Sequence, residues 1–314
     1  MNVSSLCVGE APSLHAVTHW RVESAFAAEC ESLVERIGLL GHFIAACVQS
    51  VAGEEDIHEY DVILCSTYLS QYLFVDEKNY EALCAGIFDG CGIRPLTFLH
   101  AYECAGWGYA LQFLASQAAS KRAIIAIADI DLVNFECFRT HPLIGRSGFG
   151  ISALRFELPD CQSQDIAITD GPYPESGFRE FLHVVRDHVK QGDDTMCFLP
   201  YLREDLSAIA RRLVGAQSVG EDRAAQYGHC FGSDAWIGLI EWLEASNIRE
   251  AKTVTATSLA YNGYMTVCPV SVTPETAFEF QIVSGKIEDL HQLIASNQSR
   301  HGAMDTSALE RMSA

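Results

Sequence analysis

The chain has 314 residues, of which 49% are hydrophobic and 20% charged, and a net charge of −20. Apolar content this high offsets the ordering entropy of the chain and excludes disorder. Acidity this strong excludes the diffuse attraction for phosphate backbones or anionic lipid that clustered Lys and Arg provide, so neither nucleic acid nor membrane is an expected partner. The length fits two domains or one large one.

The N-terminal Met-Asn-Val-Ser-Ser-Leu lacks the basic region and long apolar stretch of a secretion signal, which points to the cytoplasm. Ile37–Gly53 and Cys104–Ser120 contain no Asp, Glu, Lys or Arg, yet both fall short of the ~20 apolar residues a bilayer requires. They read as buried core helices. The 12 cysteines are expected to be reduced in that compartment and to behave as small hydrophobes. No Cys-x-x-Cys occurs, and the pairs His100/Cys104 and Cys137/His141 do not supply four converging ligands, so no metal is expected.

In chain order, Asp61–Tyr68 is a continuous apolar, β-branched run and reads as a buried strand. A helix over Lys78–Phe88 follows, then a strand over Leu96–Tyr102, the apolar helix Cys104–Ser120 and a buried strand at Arg122–Asp129. Gly150–Leu158 closes this half with period-2 alternation. The second half repeats the scheme: strand Asp165–Thr169, amphipathic helix Phe178–Lys190, strand Thr195–Pro200, helices Glu204–Val214 and Ser233–Ser246, and strands Thr253–Leu259 and Met265–Val272. Alternating strands and helices predict an α/β fold with largely parallel sheets. Similar element order in two halves suggests internal duplication. The turn-rich Pro159–Gln164 is the expected junction between an N-terminal half (1–160) and a C-terminal half (161–283). Beyond Pro274 the pattern fades, with one short helix expected over Ile287–Ala295 and a C-terminal tail (284–314).

The segment Ala101-Tyr-Glu-Cys-Ala-Gly-Trp-Gly-Tyr-Ala-Leu111 places Cys104 where a strand turns into an apolar helix. Unsatisfied N–H groups and the positive end of the helix dipole favour a thiolate there, which makes a better nucleophile. Gly106 and Gly108 keep the first turn thin. A structural cysteine with packing glycines fits the same local pattern.

This segment resembles the active-site turn of the thiolase superfamily, in its β-ketoacyl-ACP synthase III branch, whose nucleophile sits in an Ala-Cys-Ala-Gly-Phe-type stretch. Other segments follow in that family's order. Gly145–Leu154 resembles its Gly-Asp-Gly-Ala-Gly run. Phe198-Leu-Pro-Tyr-Leu-Arg203 stands where Val-Pro-His-Gln-Ala-Asn is usual. Tyr227–Asp234 stands for the Gly-Asn-Thr-Ser loop, and Tyr261-Asn-Gly-Tyr264 for the glycine-rich turn before the last strand. The resemblance implies a duplicated five-layer αβαβα sandwich, with Cys104 accepting an acyl group from acyl-CoA or an acyl carrier protein and no cofactor. It implies an oxyanion hole of backbone N–H groups from Cys104 and from Asn262 or Gly263.

Two departures carry weight. The family's His position is Tyr201 here and its Asn position is His229, so decarboxylation of a malonyl unit loses its usual donors. His229 can still exchange protons with Cys104 or an incoming nucleophile, and Tyr201 can donate to an oxyanion. That set suits acyl transfer to a hydroxyl, amine or stabilised carbanion. Arg211 and Arg212, with Arg203, match the carrier-facing helix and are the expected docking residues for CoA or carrier. A shortened Pro159–Phe178 region implies an opened pocket. Asp129, Asp131, Asp193 and Asp194 read as solvated or capping carboxylates.

Two functions follow. One is a diverged acyltransferase of specialised metabolism using Cys104, His229 and Tyr201. The other is a non-catalytic thiolase-fold subunit paired with an active paralogue. Either implies a homodimer or heterodimer, and the acidity favours a more basic partner as the docking face.

Overall fold

A computed structural model describes residues 10–22, 30–117, 121–132, 140–141, 144–159, 167–168, 177–191, 196–215 and 218–283. Strand β1 (Ser13–Val22) leads to helix α1 (Leu33–Ala52), β2 (Asp61–Cys65), the single turn α2 (Ser70–Leu73), α3 (Glu77–Cys91) and β3 (Thr97–Leu99). Then come α4 (Gly106–Gln117), β4 (Arg122–Asp129), the small ladder of β5 (Thr140–His141) with β6 (Gly145–Arg146), and β7 (Gly150–Glu157). The second half holds β8 (Ala167–Ile168), α5 (Gly177–Gln191), β9 (Met196–Phe198), α6 (Glu204–Val214), α7 (Ala224–Tyr227), α8 (Asp234–Ala245), β10 (Lys252–Leu259), β11 (Met265–Val272) and β12 (Ala277–Val283).

Two groups of strands run β3-β2-β4-β7-β1 and β9-β10-β11, with β8 pairing with β11. The single register pair Ser13↔Ser271 joins them. Pairings β2–β3, β2–β4 and β9–β10 are parallel, whereas β7 runs antiparallel to both β4 and β1. With β10–β11 and β8–β11 antiparallel as well, the sheets are mixed rather than largely parallel as expected.

Side-chain alternation sorts the strands into layers. Along β4, Ile124, Ala126 and Ala128 face α1 and α3, while Ala123, Ile125 and Ile127 face α4 and α8. Along β11, Met265 and Val267 face α5 and α6, while Cys268, Val270 and Val272 face α4 and α8. The result is five layers: α1/α3, a sheet, α4/α8, a second sheet, α5/α6. Burial on both strand faces explains the unbroken apolar runs in the sequence.

Ser32 and Glu35 form a reciprocal capping box that starts α1. α1 is the one described helix long and apolar enough to cross a membrane. Most of it is instead buried against α3 and the first sheet. Its approach to α3 is so close that a Cβ on Gly86 would overlap Gly38 O.

The structure moves several expected boundaries. β2 stops at Cys65 because Ser66 Oγ and the Thr67 and Tyr68 amides turn onto Asp129 at 3.1, 2.6 and 3.2 Å. Strands β1 and β12 have no counterpart in the sequence reading. They pair in parallel from Ala16↔Ala277 to Val22↔Val283, and their buried polar groups, such as Thr18 bonded to Glu279, disguise them. The expected helix at Ile287–Ala295, the tail, Asp193 and Asp194, and most of the Pro159–Phe178 region lie outside the described residues.

Candidate active site

The segments after β2 and β9, the end of β10 and the turns before α4 and α8 line one cavity of about 320 Å³. Its lining includes Thr67, Tyr68, Glu103, Cys104, Phe178, Pro200, Leu202, His229, Phe231 and Tyr261. Cys104 lies in the 3-10 turn Glu103–Ala105 that runs directly into α4. It is 5% exposed. Its Sγ is 3.7 Å from His229 Nε2 and 3.9 Å from Thr67 Oγ1.

His229 is held on every side. Its amide donates to Arg146 O, and its carbonyl accepts from Gly148 N, both at 2.8 Å. This brace needs glycine: a Cβ on Gly148 would overlap Tyr227 O, and Gly228 takes φ 73°. The Gly145–Gly150 segment is thus a support for the histidine.

Behind the ring, Nδ1 faces Asp234 Oδ2 at 2.5 Å and Tyr201 O at 3.0 Å. Two acceptors require that Nδ1 carry the proton, which leaves Nε2 toward the sulfur. Asp234 is fully buried, and the amides of Cys230 and Tyr201 donate to it at 2.6 and 2.7 Å. Phe231 packs edge-on against the imidazole, ring centroids 5.2 Å apart.

The charges in this group are coupled. Burial works against a charged imidazole, but the Asp234 carboxylate and the Cys104 sulfur together outweigh it and lift His229 well above the usual histidine range. Burial pushes the Cys104 thiol up, His229 draws it back, and Asp129 and Glu103 add to the upward push. A thiolate at Cys104 therefore depends on His229 taking its proton.

Asp129, expected to be a solvated or capping carboxylate, is not solvated but accepts the turn amides of Thr67 and Tyr68. It is buried at the end of β4, and burial raises it to about 6 against the donors of Ser66, Thr67, Tyr68 and Gly232. Asp131 is buried as well and accepts from Tyr72 Oη at 2.9 Å.

The structure brings Cys104 and His229 together but turns Tyr201 away. Pro200 and Leu202 line the cavity, while the Tyr201 ring packs against Cys230 and Ile237, with its hydroxyl buried and lacking a hydrogen-bond partner. Burial and the nearby Asp234 and Glu241 push that hydroxyl far above the normal tyrosine range. Its backbone, not its ring, serves the site.

Two of the three expected oxyanion donors, the amides of Asn262 and Gly263, are engaged elsewhere. Asn262 N donates to Glu103 Oε2 at 3.2 Å, and Gly263 N to Ala260 O at 3.0 Å. Of the docking arginines, Arg203 pairs with Asp205 through two nitrogens, and Arg211 donates to the carbonyls of Val219 and Gly220; Arg212 is exposed.

Asp234 is the residue that the sequence reading missed. An acidic residue opening an apolar helix looks like a dipole partner, and its spacing from His229 carries no known signature.

No protein-family model and no curated protein sequence matches the chain. Solved structures do. The 3-oxoacyl-(acyl-carrier protein) synthase from Burkholderia xenovorans LB400 is 11% identical with a TM-score of 0.60, covering 88% of this chain and 98% of that one. PksG, a HMG-CoA synthase from Bacillus subtilis, is 12% identical with a TM-score of 0.57, covering 96% and 87%. AbyA1, a tetronic acid condensing enzyme, is 12% identical with a TM-score of 0.56, covering 82% and 99%. At this identity the likeness concerns the fold alone: the chain has the thiolase-like fold of these structures.

Proposed function

We propose that the protein is an acyltransferase that carries an acyl group on Cys104. The observation that carries this reading is the connected series Cys104 Sγ, His229 Nε2, His229 Nδ1 and Asp234, sealed behind the cavity wall. The solved relatives of the same fold are named for condensing and synthase reactions, which supports acyl transfer or condensation as the class.

In this reading His229 Nε2 takes the Cys104 proton and the thiolate attacks the thioester carbonyl of acyl-CoA or an acyl carrier protein. The carbonyl–sulfur bond of the donor breaks, and His229 returns the proton to the departing thiolate. An acceptor X–H then loses its proton to His229 and attacks the acyl carbon, and Cys104 leaves and is reprotonated. Asp234 holds the ring in the required tautomer and stabilises the imidazolium.

The second substrate is an oxygen, nitrogen or stabilised carbon nucleophile rather than a malonyl unit, because the usual His and Asn enolate donors are replaced by Tyr201, whose ring leaves the cavity, and by His229, which is committed to Cys104. Specialised metabolism is the setting this suits.

A dimer belongs to the same reading. β3 is an edge strand, and beside it Phe74, Val75 and Leu96 are exposed, with Phe74, Phe98 and His100 in ring contact. Such a surface fits a second copy or a paralogue.

Incubation with acyl-CoAs of increasing chain length, followed by intact and peptide mass spectrometry, tests the proposal. An acyl adduct on Cys104 is expected. No adduct from any thioester would leave the chain as a non-catalytic partner subunit.

A further inference from the structure

Glu103, the residue before the nucleophile, stands in the left-handed region at φ 47°. A non-glycine residue keeps that conformation only when its surroundings hold it there. Glu103 Oε2 accepts from Asn262 N at 3.2 Å, Asn262 Nδ2 donates to Ala101 O at 3.1 Å, and Thr266 Oγ1 donates to Ala105 O at 3.0 Å. These hydrogen bonds tie residues 101–105, which carry the thiol, to residues 262–266 of the other half.

We propose that Glu103 is a positioning residue for Cys104: its carboxylate, through the Asn262 amide, locks the turn that holds the sulfur opposite His229 and Thr67. This rests on Cys104 being the reactive thiol. The two polar contacts of Sγ, at 3.7 and 3.9 Å, already lie at the outer reach of a sulfur hydrogen bond. Relaxation of φ toward the right-handed region would swing the sulfur off the imidazole. The carboxylate also has an electrostatic effect. Facing Sγ are Glu103 from its own turn, Asp129 from the end of β4 and His229 from the segment before α8; the two carboxylates oppose a thiolate and the histidine favours it.

Iodoacetamide alkylation, followed on the Cys104 peptide by mass spectrometry across a pH series, tests this. Glu103→Ala is expected to slow alkylation about tenfold, the scale of one charge-assisted hydrogen bond. Glu103→Gln still accepts from Asn262, so it should stay within about twofold of wild type, with the pH midpoint moved down as a negative charge leaves. Glu103→Gly adopts φ 47° without strain; it should fold at least as stably as Glu103→Ala by thermal melting yet react as slowly. Equal rates for wild type and Glu103→Ala overturn the proposal, as does a Glu103→Gln as slow as Glu103→Ala or a Glu103→Gly as fast as wild type. Alkylation requires no thioester, so a protein that shows this pattern but never acylates would count against the proposed acyl transfer alone.

Discussion

The turn Glu103–Ala105 leads into α4, and the turn Phe231–Ser233 leads into α8. Each is a 3-10 turn opening on a non-glycine residue with positive φ, 47° at Glu103 and 54° at Phe231, and each runs straight into a buried helix of the central layer. Where the first turn carries Cys104, the second carries Gly232. A Cβ there would lie 3.1 Å from Cys104 O and 3.1 Å from Ile127 Cγ2. One backbone unit is thus used twice, and the difference lies in the side chains: one copy presents the thiol, while the other stays bare at that point and delivers Asp234 behind His229. The duplication that the element order suggested is visible here as local geometry.

Chemistry is expected to fail at the residues that distinguish the two turns. Cys104→Ala should take no acyl group. His229→Ala should slow acylation of Cys104 on the order of 10²- to 10⁴-fold, the usual worth of a positioned base. Its thiol should also titrate higher than in wild type, because burial, Asp129 and Glu103 then act without the opposing imidazole. Rapid-quench mass spectrometry reads the first effect and pH-dependent alkylation the second. Asp234→Asn leaves Nδ1 without its carboxylate, so His229 should lose its raised basicity and acylation should slow about 10²-fold.

Asp129 accepts from Gly232 in the second turn and acts electrostatically on Cys104 in the first, and its substitution sharpens the comparison through stability. Its folded pKa, about 6, lies above the ordinary 3.8, so the native state binds the extra proton between those values. The stability it contributes is present below pH 3.8 and lost as pH rises through about 6. Asp129→Asn retains an acceptor oxygen without a charge to bury. It should be more stable than wild type at pH 8 by on the order of 3 kcal/mol, with the advantage gone near pH 4. Denaturant titrations at the two pH values measure it, and a constant difference would contradict the assignment. The smallest effect belongs to Gly232→Ala, where a methyl pressed against Cys104 O should cost about 1–3 kcal/mol in the same titrations.

Much of this was legible in the chain itself. Arg122–Asp129 and Met265–Val272 match β4 and β11 residue for residue, because burial on both faces leaves an unbroken apolar signature. Cys104 and His229 were readable from a thiol at a strand-to-helix turn and from motif order. Tyr201 misled because motif order tells where the backbone runs, not which way a side chain turns. Here the backbone at 201 lies at the site while the ring leaves it. The amides of Asn262 and Gly263 misled for a related reason, since the Glu103 carboxylate and the Ala260 carbonyl take them through tertiary contacts that no local pattern announces. Asp234 stayed hidden because its role depends on a partner whose carbonyl neighbour, Tyr201, comes from a distant segment.

The central claim is that Cys104, His229 and Asp234 act as one unit. Acylation of Cys104 by a single acyl-CoA, timed by rapid-quench peptide mass spectrometry in wild type, His229→Ala, Asp234→Asn and the double variant, tests it most directly. The expected result is a fast wild-type adduct, slow single variants and a double variant no slower than His229→Ala, since Asp234 works through the ring. Acylation of His229→Ala at the wild-type rate, or losses that multiply in the double variant, would contradict it.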